Sequence, residues 1–176
     1  DVRSASNAAS DGWLVYEDNM FKAQYPPNSE VLGAKDGKQD PKYPNLSIHP
    51  GPDGAKSAIG GFVLQPDNVT QNMLLRDAIQ SDITRFKGDK GILIAGPRDV
   101  PVGNGRCITA LLVTPTDSCA KNAGSCFAPL YLTQCDGPAG ARYNVAAALA
   151  VGSSRDALSP QAQQQAVVYE RILRSL

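Results

Sequence analysis

Four cysteines that lie close together constrain this fold more than any other feature of the sequence. They are Cys107, Cys119, Cys126 and Cys135. An even number of cysteines in one region is typical of a local disulfide framework. Structural zinc sites favour ligand pairs two to four residues apart, a spacing that these cysteines lack, and the sole histidine, His49, lies far upstream. The pattern therefore favours two disulfides over free thiols or a metal site.

Strand register predicts how the cysteines pair. If residues 108–114 and 127–133 form an antiparallel pair, opposite residues have a nearly constant sum of residue numbers. Cys119 and Cys126 sum to 245, and Cys107 and Cys135 sum to 242, which favours these two nested disulfides. A bulge or a loose loop absorbs the offset of three. The two other ways of pairing four cysteines stay open at this stage.

Disulfides also bear on the compartment, because they persist in oxidising environments. The chain begins at Asp1 without a methionine, as it would after truncation or removal of a signal peptide. We therefore expect a secreted or periplasmic protein, with association with the cell envelope left open.

Length and charge exclude several classes of protein. The 176 residues suit one domain that folds without a partner, either as a monomer or as a weak homo-oligomer. Seventeen basic residues balance 17 acidic ones, so the chain lacks the positive surface that nucleic acid requires. The uncharged run 143–154 is only about half a membrane span. We expect a flexible segment at 1–12 and a single domain at 13–176, with no transmembrane segment.

The first part of the chain predicts a hairpin and a long loop. Two short aromatic and β-branched runs, 13–17 and 21–25, suit strands joined by a tight turn. Residues 26–67 are rich in proline and glycine and predict a loop with short strands near 45–49 and 61–64. This loop is the surface on which we expect specificity.

A helix is predicted over residues 70–86, because Leu75, Ile79, Ile83 and Phe86 form one apolar stripe. Thr70 or Asn72 is the expected N-terminal cap, and Gly88 is expected to end the helix.

The second half of the chain predicts a β-meander followed by a helix. Strands are expected at 92–95 with the adjoining GPRDVPV, at 108–114, at 127–133 and at 143–151, with a turn at 103–105. Ser159 and Pro160 predict the start of a C-terminal helix that covers the sheet. The order of the elements lacks βαβ alternation, so the fold class is α+β: an antiparallel sheet flanked by helices.

Catalytic chemistry has little support in the sequence. His49 is the only histidine, and Ser47, Ser57 or Asp53 are its nearest candidate partners for a hydrolase. No GxSxG motif accompanies it, which favours a surface histidine. The glycine-containing turns match neither a P-loop nor a dinucleotide fingerprint, and the calcium-loop pattern is absent. We therefore expect no catalytic residue, no cofactor and no metal, although the hydrolase remains an alternative.

Recognition is the remaining interpretation. Aromatic residues are concentrated in the first quarter of the chain, where Trp13, Tyr16 and Tyr43 could form a binding patch with His49. The alternative is that these rings belong to the core, since successive residues of the first strand point to opposite faces.

Three segments resemble the PsbP-like fold group, which includes the photosystem II extrinsic protein P and DcrB-like bacterial lipoproteins. They are WLVYEDNMFKAQYP with its F-x-x-x-YP pattern (21–26), the helix MLLRDAIQSDITRFK, and VVYERILRSL with its Y-x-x-I-L-x-S pattern (169–175). The resemblance covers 13–176 and implies an α/β/α sandwich, often exported and noncatalytic, that docks to another protein or to the envelope. The clustered cysteines and the 26–67 loop are not part of this pattern, and the chain has no lipobox cysteine.

We therefore expect an exported, noncatalytic binding or accessory domain whose partner is a protein or an envelope component. The predicted contact is the 26–67 loop together with the aromatic hairpin. Besides the hydrolase, the alternative is an immunity protein or secretion chaperone dedicated to a larger exported protein.

Overall fold

The computed structural model describes residues 11–18, 21–33, 46–51, 61–103, 105–117, 119 and 124–176. Its strands are β1 (Leu14–Glu17), β2 (Lys22–Tyr25), β3 (Glu30–Leu32), β4 (Leu46–His49), β5 (Phe62–Pro66), β6 (Ile92–Val102), β7 (Gly105–Thr116), β8 (Cys126–Asp136) and β9 (Arg142–Ala148). Its α-helices are α1 (Leu75–Lys87) and α2 (Pro160–Arg174).

Antiparallel pairing connects all neighbouring strands. In the described part of the chain, one sheet has the strand order β3-β4-β5-β9-β8-β7-β6, and β1 pairs with β2 as a separate hairpin. A mostly antiparallel sheet with two helices confirms the predicted α+β class.

Both predicted disulfides, Cys107–Cys135 and Cys119–Cys126, are present. Cys107 lies directly opposite Cys135, and the same register continues along β7 and β8 to the pair Thr116 and Cys126. The offset of three between the two cysteine pairs is therefore taken up beyond the last strand pair, where Cys119 lies in the connection from β7 to β8.

Buried side chains lie on both faces of β7 and β8. On β7, Cys107 and Leu111 pack in a cluster to which α2 contributes Tyr169, Ile172 and Leu173. The alternate residues of β7 pack in a second cluster with Leu75, Ile79 and Ile83 of α1; they are Ile108, Ala110 and Leu112. Because successive residues of a strand point to opposite faces, a strand buried on both faces needs a nearly continuous apolar run, as β7 has.

Helix α1 begins later than the sequence predicts. Its N-cap is Leu74, which makes no side-chain capping hydrogen bond, so the prediction that Thr70 or Asn72 caps the helix is wrong. The backbone N–H of Thr70 is instead bound by the Asp67 carboxylate at 3.1 Å, in a turn that precedes the helix. The predicted end is confirmed, because Gly88 follows the helix with a φ of 54°, which glycine adopts readily.

A serine hydroxyl accepts a backbone hydrogen bond at each end of helix α2. Ser159 accepts a hydrogen bond from the Ala162 N–H at 3.2 Å, and Pro160 occupies the first turn, which confirms the predicted start. At the other end, the Ser175 hydroxyl accepts a hydrogen bond from the Gln24 N–H of β2 at 2.7 Å. This bond joins the β1–β2 hairpin to the C-terminal end of α2.

β3 was not predicted from the sequence, β6 joins two predicted segments, and β9 ends earlier than predicted. β3 is an additional strand that three residues of the predicted loop form against β4. β6 includes the GPRDVPV segment, where its register with β7 shifts near Ala95 and Arg98. Because β6 is an edge strand, one of its sides is free of ladder hydrogen bonds, and proline is tolerated at such a position. β9 ends at Ala148, three residues before the predicted Val151.

Candidate functional site

Trp13, a predicted binding residue, is half-buried and packs against α2. The guanidinium carbon of Arg171 lies 3.8 Å from the centre of a Trp13 ring. The same guanidinium lies 2.6 Å from the carboxylate of Asp11, and this hydrogen bond lowers the pKa of Asp11. The contacts fix the start of the described chain on α2 and occupy one face of the indole.

Tyr16, the second predicted binding residue, lies in the core with 6% of its surface exposed. Its hydroxyl donates a hydrogen bond of 2.7 Å to Asp18. The ring packs so closely on Gly33 that a Cβ at that position would overlap the ring, so only glycine fits there. The Tyr16 ring therefore supports the fold and is not part of an exposed surface.

His49 ends β4 and lies opposite Glu30 of β3. Its ring packs on Gly61, and it shares a face of β4 with Ser47, since the intervening Ile48 is buried.

Three other residues of the predicted sites lie outside the described residues: Asp53 and Ser57, which are proposed partners of His49, and Tyr43. The roles of these residues remain predictions.

A different surface stands out in the described part of the chain: the connection between β5 and α1, which we call the 67–74 loop. Its apolar side chains Val69, Met73 and Leu74 are 81%, 42% and 75% exposed. The other exposed side chains of the loop are uncharged amides, Asn68, Gln71 and Asn72. Adjacent exposed apolar residues of this kind mark interaction surfaces more often than scattered ones do.

Buried polar side chains hold the backbone of this loop. The Asp67 carboxylate accepts hydrogen bonds from the N–H groups of Val69 at 3.0 Å and of Thr70 at 3.1 Å. A further backbone bond of 2.9 Å joins the Met73 N–H to the Thr70 carbonyl. Asp67 thus fixes the first turn of the loop, as aspartate commonly does.

Arg142 of β9 holds the second half of the loop. Its guanidinium donates hydrogen bonds to the carbonyls of Thr70 at 3.2 Å and Met73 at 2.9 Å. Its charge is balanced by Asp136, which accepts from Arg142 Nε at 3.0 Å. Because a buried cation is stable only when paired and hydrogen-bonded, these bonds fix the loop carbonyls as well as the arginine.

Gln134 of β8 lies beneath the loop and is fully buried. Its amide nitrogen donates to Asp67 at 2.9 Å and to Asp82 of α1 at 2.6 Å, and its amide oxygen accepts from the Thr70 hydroxyl at 3.3 Å. One amide therefore connects the loop, the helix and the sheet. We refer to these connected side chains as the polar network: Asp67, Thr70, Asp82, Gln134, Arg142 and Asn144.

The two carboxylates bound to Gln134 differ in their proton affinity. Burial alone would raise the pKa of Asp67, but hydrogen bonds from Gln134, Thr70 and Asn144 outweigh it and lower this pKa. Burial raises the pKa of Asp82, and the nearby Asp67 charge adds to the effect, against the opposing influence of Gln134 and Arg85. Asp67 is therefore the permanent anion on which the loop is built.

Sequence reasoning missed this surface because it assigned residues 70–74 to a helix. A local signal was present, since Val69, Met73 and Leu74 do not continue the stripe of Leu75 and Ile79. An aspartate followed by small and polar residues also favours a turn. Nothing local indicated that Gln134 and Arg142 would bind this turn.

Within the described ranges, no group of three or more histidine, cysteine or carboxylate side chains is placed to hold a metal ion. None of the helices in these ranges is long and apolar enough to span a membrane. In comparisons with known proteins, no family model matches the chain, and no curated protein matches it either.

Proposed function

We propose that this chain is an exported, noncatalytic binding domain that docks to another protein or to an envelope component, with the 67–74 loop as a contact surface. One observation carries the proposal: three exposed apolar side chains lie on a backbone that a buried polar network holds in one conformation. A loop that is ordered before it binds loses little entropy on binding.

The network is otherwise difficult to explain. Burying two aspartates, a glutamine and an arginine requires desolvation that apolar packing would avoid. Stability alone would favour an apolar core below a short loop. A requirement for a fixed loop conformation accounts for both the buried charges and the exposed apolar side chains above them.

Two further features support the exported, layered protein that we propose. The two disulfides suit an oxidising compartment such as the periplasm or the extracellular space. The separate clusters that α1 and α2 form on alternate faces of β7 support an α/β/α sandwich of the PsbP-like kind. In that fold group the domain serves docking, as we propose for this chain.

The test is a comparison of capture by matched surface variants. The double variant Val69→Ser with Leu74→Ser removes the apolar contact, whereas Val167→Ser changes an equally apolar side chain on α2 that is 71% exposed. Both immobilised variants and the wild type are incubated with secreted and envelope fractions of the producing cells. We expect the double variant, unlike Val167→Ser, to retain at least about tenfold less of one bound component than the wild type does. This decrease corresponds to about 1.4 kcal/mol of binding free energy. Equal retention by all three proteins would contradict the proposal.

A further inference from the structure

The Cys119–Cys126 disulfide forms part of the wall of an open cleft of about 920 Å³, away from the 67–74 loop. The cleft lies between the connection that follows α1 and the ends of β7 and β8. Phe127 and Pro115 contribute apolar surface to it. Its volume lies in the range of small-molecule sites.

The two disulfides of this chain differ in accessibility. Cys107 and Cys135 are 0% and 5% exposed and face each other inside the β7–β8 ladder. Cys119 is half-buried and lies beyond the ladder, at the cleft wall, while its partner Cys126 is 6% exposed. Since the rate of thiol–disulfide exchange depends on access to the sulfur that is attacked, Cys119 is more open to a thiol in solution than either cysteine of the other pair.

Charged side chains line the same cleft. Lys90 and Arg155 are cations, and Asp89 and Asp117 are anions, so the cleft carries both signs of charge. A ligand with carboxylates and an ammonium group matches this mixture. Cations also stabilise a thiolate relative to its thiol, which favours the attacking form of a bound thiol.

We propose that the Cys119–Cys126 disulfide is an exchange site for a small peptide thiol of the glutathione class, which binds in this cleft. The thiolate of the ligand attacks Cys119 Sγ, and a mixed disulfide forms as the Cys119–Cys126 bond breaks. Both electrons of that bond go to Cys126, which leaves as a thiolate and takes a proton from water. The thiol of the ligand is oxidised to the disulfide level and Cys126 is reduced.

The structure also provides for the reduced state of Cys126. Its sulfur lies 3.1 Å from the Thr116 carbonyl oxygen, which can accept a hydrogen bond from the new thiol. Cys107–Cys135 and the β7–β8 ladder join the two strands independently of Cys119–Cys126. We therefore expect the exchange to change only the wall of the cleft and to leave the fold intact.

The experiment exposes the oxidised protein to reduced glutathione at pH 7.5, traps free thiols with an alkylating agent and maps each cysteine by mass spectrometry. We expect glutathione on Cys119 and the alkyl group on Cys126, formed at least about tenfold faster than any reaction at Cys107–Cys135. The circular dichroism spectrum should remain that of the folded protein. Equal rates at the two disulfides, glutathione on any other cysteine, or unfolding on exchange would overturn the proposal.

Charge variants test whether the cleft binds the thiol. The double variant Lys90→Gln with Arg155→Gln should slow the exchange at least about threefold, because it removes the cations that favour the thiolate. Lys22→Gln is the matched control, since Lys22 is an exposed lysine of the β1–β2 hairpin. An unchanged rate in the double variant, or the same decrease in the control, would overturn binding in the cleft.

Discussion

Replacing Gln134 by leucine tests whether the polar network holds the 67–74 loop. Leucine fills a similar volume in this fully buried position but donates no hydrogen bond. Asp67 would keep its bonds from Asn144 and from the loop backbone, and Asp82 would keep Arg85. Each carboxylate would lose its bond from the Gln134 amide.

The two hydrogen bonds that Gln134 donates to carboxylates determine how much stability the variant should lose. A hydrogen bond to a charged group contributes about 1.5–3 kcal/mol, so losing two such bonds should lower the free energy of unfolding by about 4 kcal/mol at pH 7. The bonds from Gln134 lower the pKa values of Asp67 and Asp82, which means that they favour the ionised carboxylates. The difference between variant and wild type should therefore shrink as the pH falls toward 4, because Asp82, whose pKa is raised, takes up a proton, whereas Asp67, whose pKa is lowered, stays ionised in the wild type and keeps its share of the difference.

Urea denaturation at pH 7 and pH 4, followed by circular dichroism, measures both quantities. Hydrogen exchange of the Val69 and Thr70 amides gives a local measure, because both amides donate to Asp67 and should exchange faster in the variant. Gln65→Leu is the matched control: it is an exposed glutamine of β5, and its replacement should change stability by less than about 0.5 kcal/mol. A loss below about 1 kcal/mol for Gln134→Leu, or an equal loss at both pH values, would refute the reasoning.

Three further predictions concern single groups of the fold. Asp82→Asn should be more stable than the wild type at pH 7 and lose this advantage below pH 3.8 in urea titrations, because the raised pKa of Asp82 means that its ionised form opposes folding. Tyr169→Phe should be about 1 kcal/mol less stable at pH 7, since it removes the buried hydroxyl bonded to Thr133. Burial raises the pKa of Tyr169 from 10.0 to about 12. Between these two pH values, the free energy of unfolding of the wild type should therefore fall by about 1.4 kcal/mol per pH unit more than that of the variant. Serine at both Cys107 and Cys135 should lower the free energy of unfolding by about 3.5 kcal/mol, measured by thermal and urea unfolding, because the disulfide closes a long loop.

Features that depend on neighbouring residues, or on the register of two successive strands, were predictable from the sequence. The nested disulfides followed from the constant sum of residue numbers in an antiparallel pair, and the structure keeps that sum along β7 and β8. Ser159 and Pro160 predicted the start of α2 because a capping hydroxyl and a proline act within one turn.

Features that depend on distant residues were not predictable in this way. The 67–74 loop takes its conformation from Gln134 and Arg142, which are separated from Thr70 by 64 and 72 residues. The alternation of β1 likewise left open whether Tyr16 faced the core. The answer depends on a tertiary contact, because Gly33, which follows β3, packs against the Tyr16 ring. Local patterns predict elements, whereas tertiary contacts decide which loop residues are exposed.

The distribution of charge around the 67–74 loop bears on the chemistry of the proposed partner. The ionisable groups Asp67, at the start of the loop, and Asp82 and Arg142, beneath it, are all buried, whereas no residue from 68 to 74 is ionisable. Electrostatic attraction therefore contributes little to contacts made by Val69 and Leu74, and their affinity depends on apolar burial and on shape. A partner selected by such a loop needs an uncharged apolar recess, and its affinity should be nearly independent of salt. A strong decrease in affinity with increasing salt would instead place the contact on a charged surface of the domain and exclude this loop as its centre.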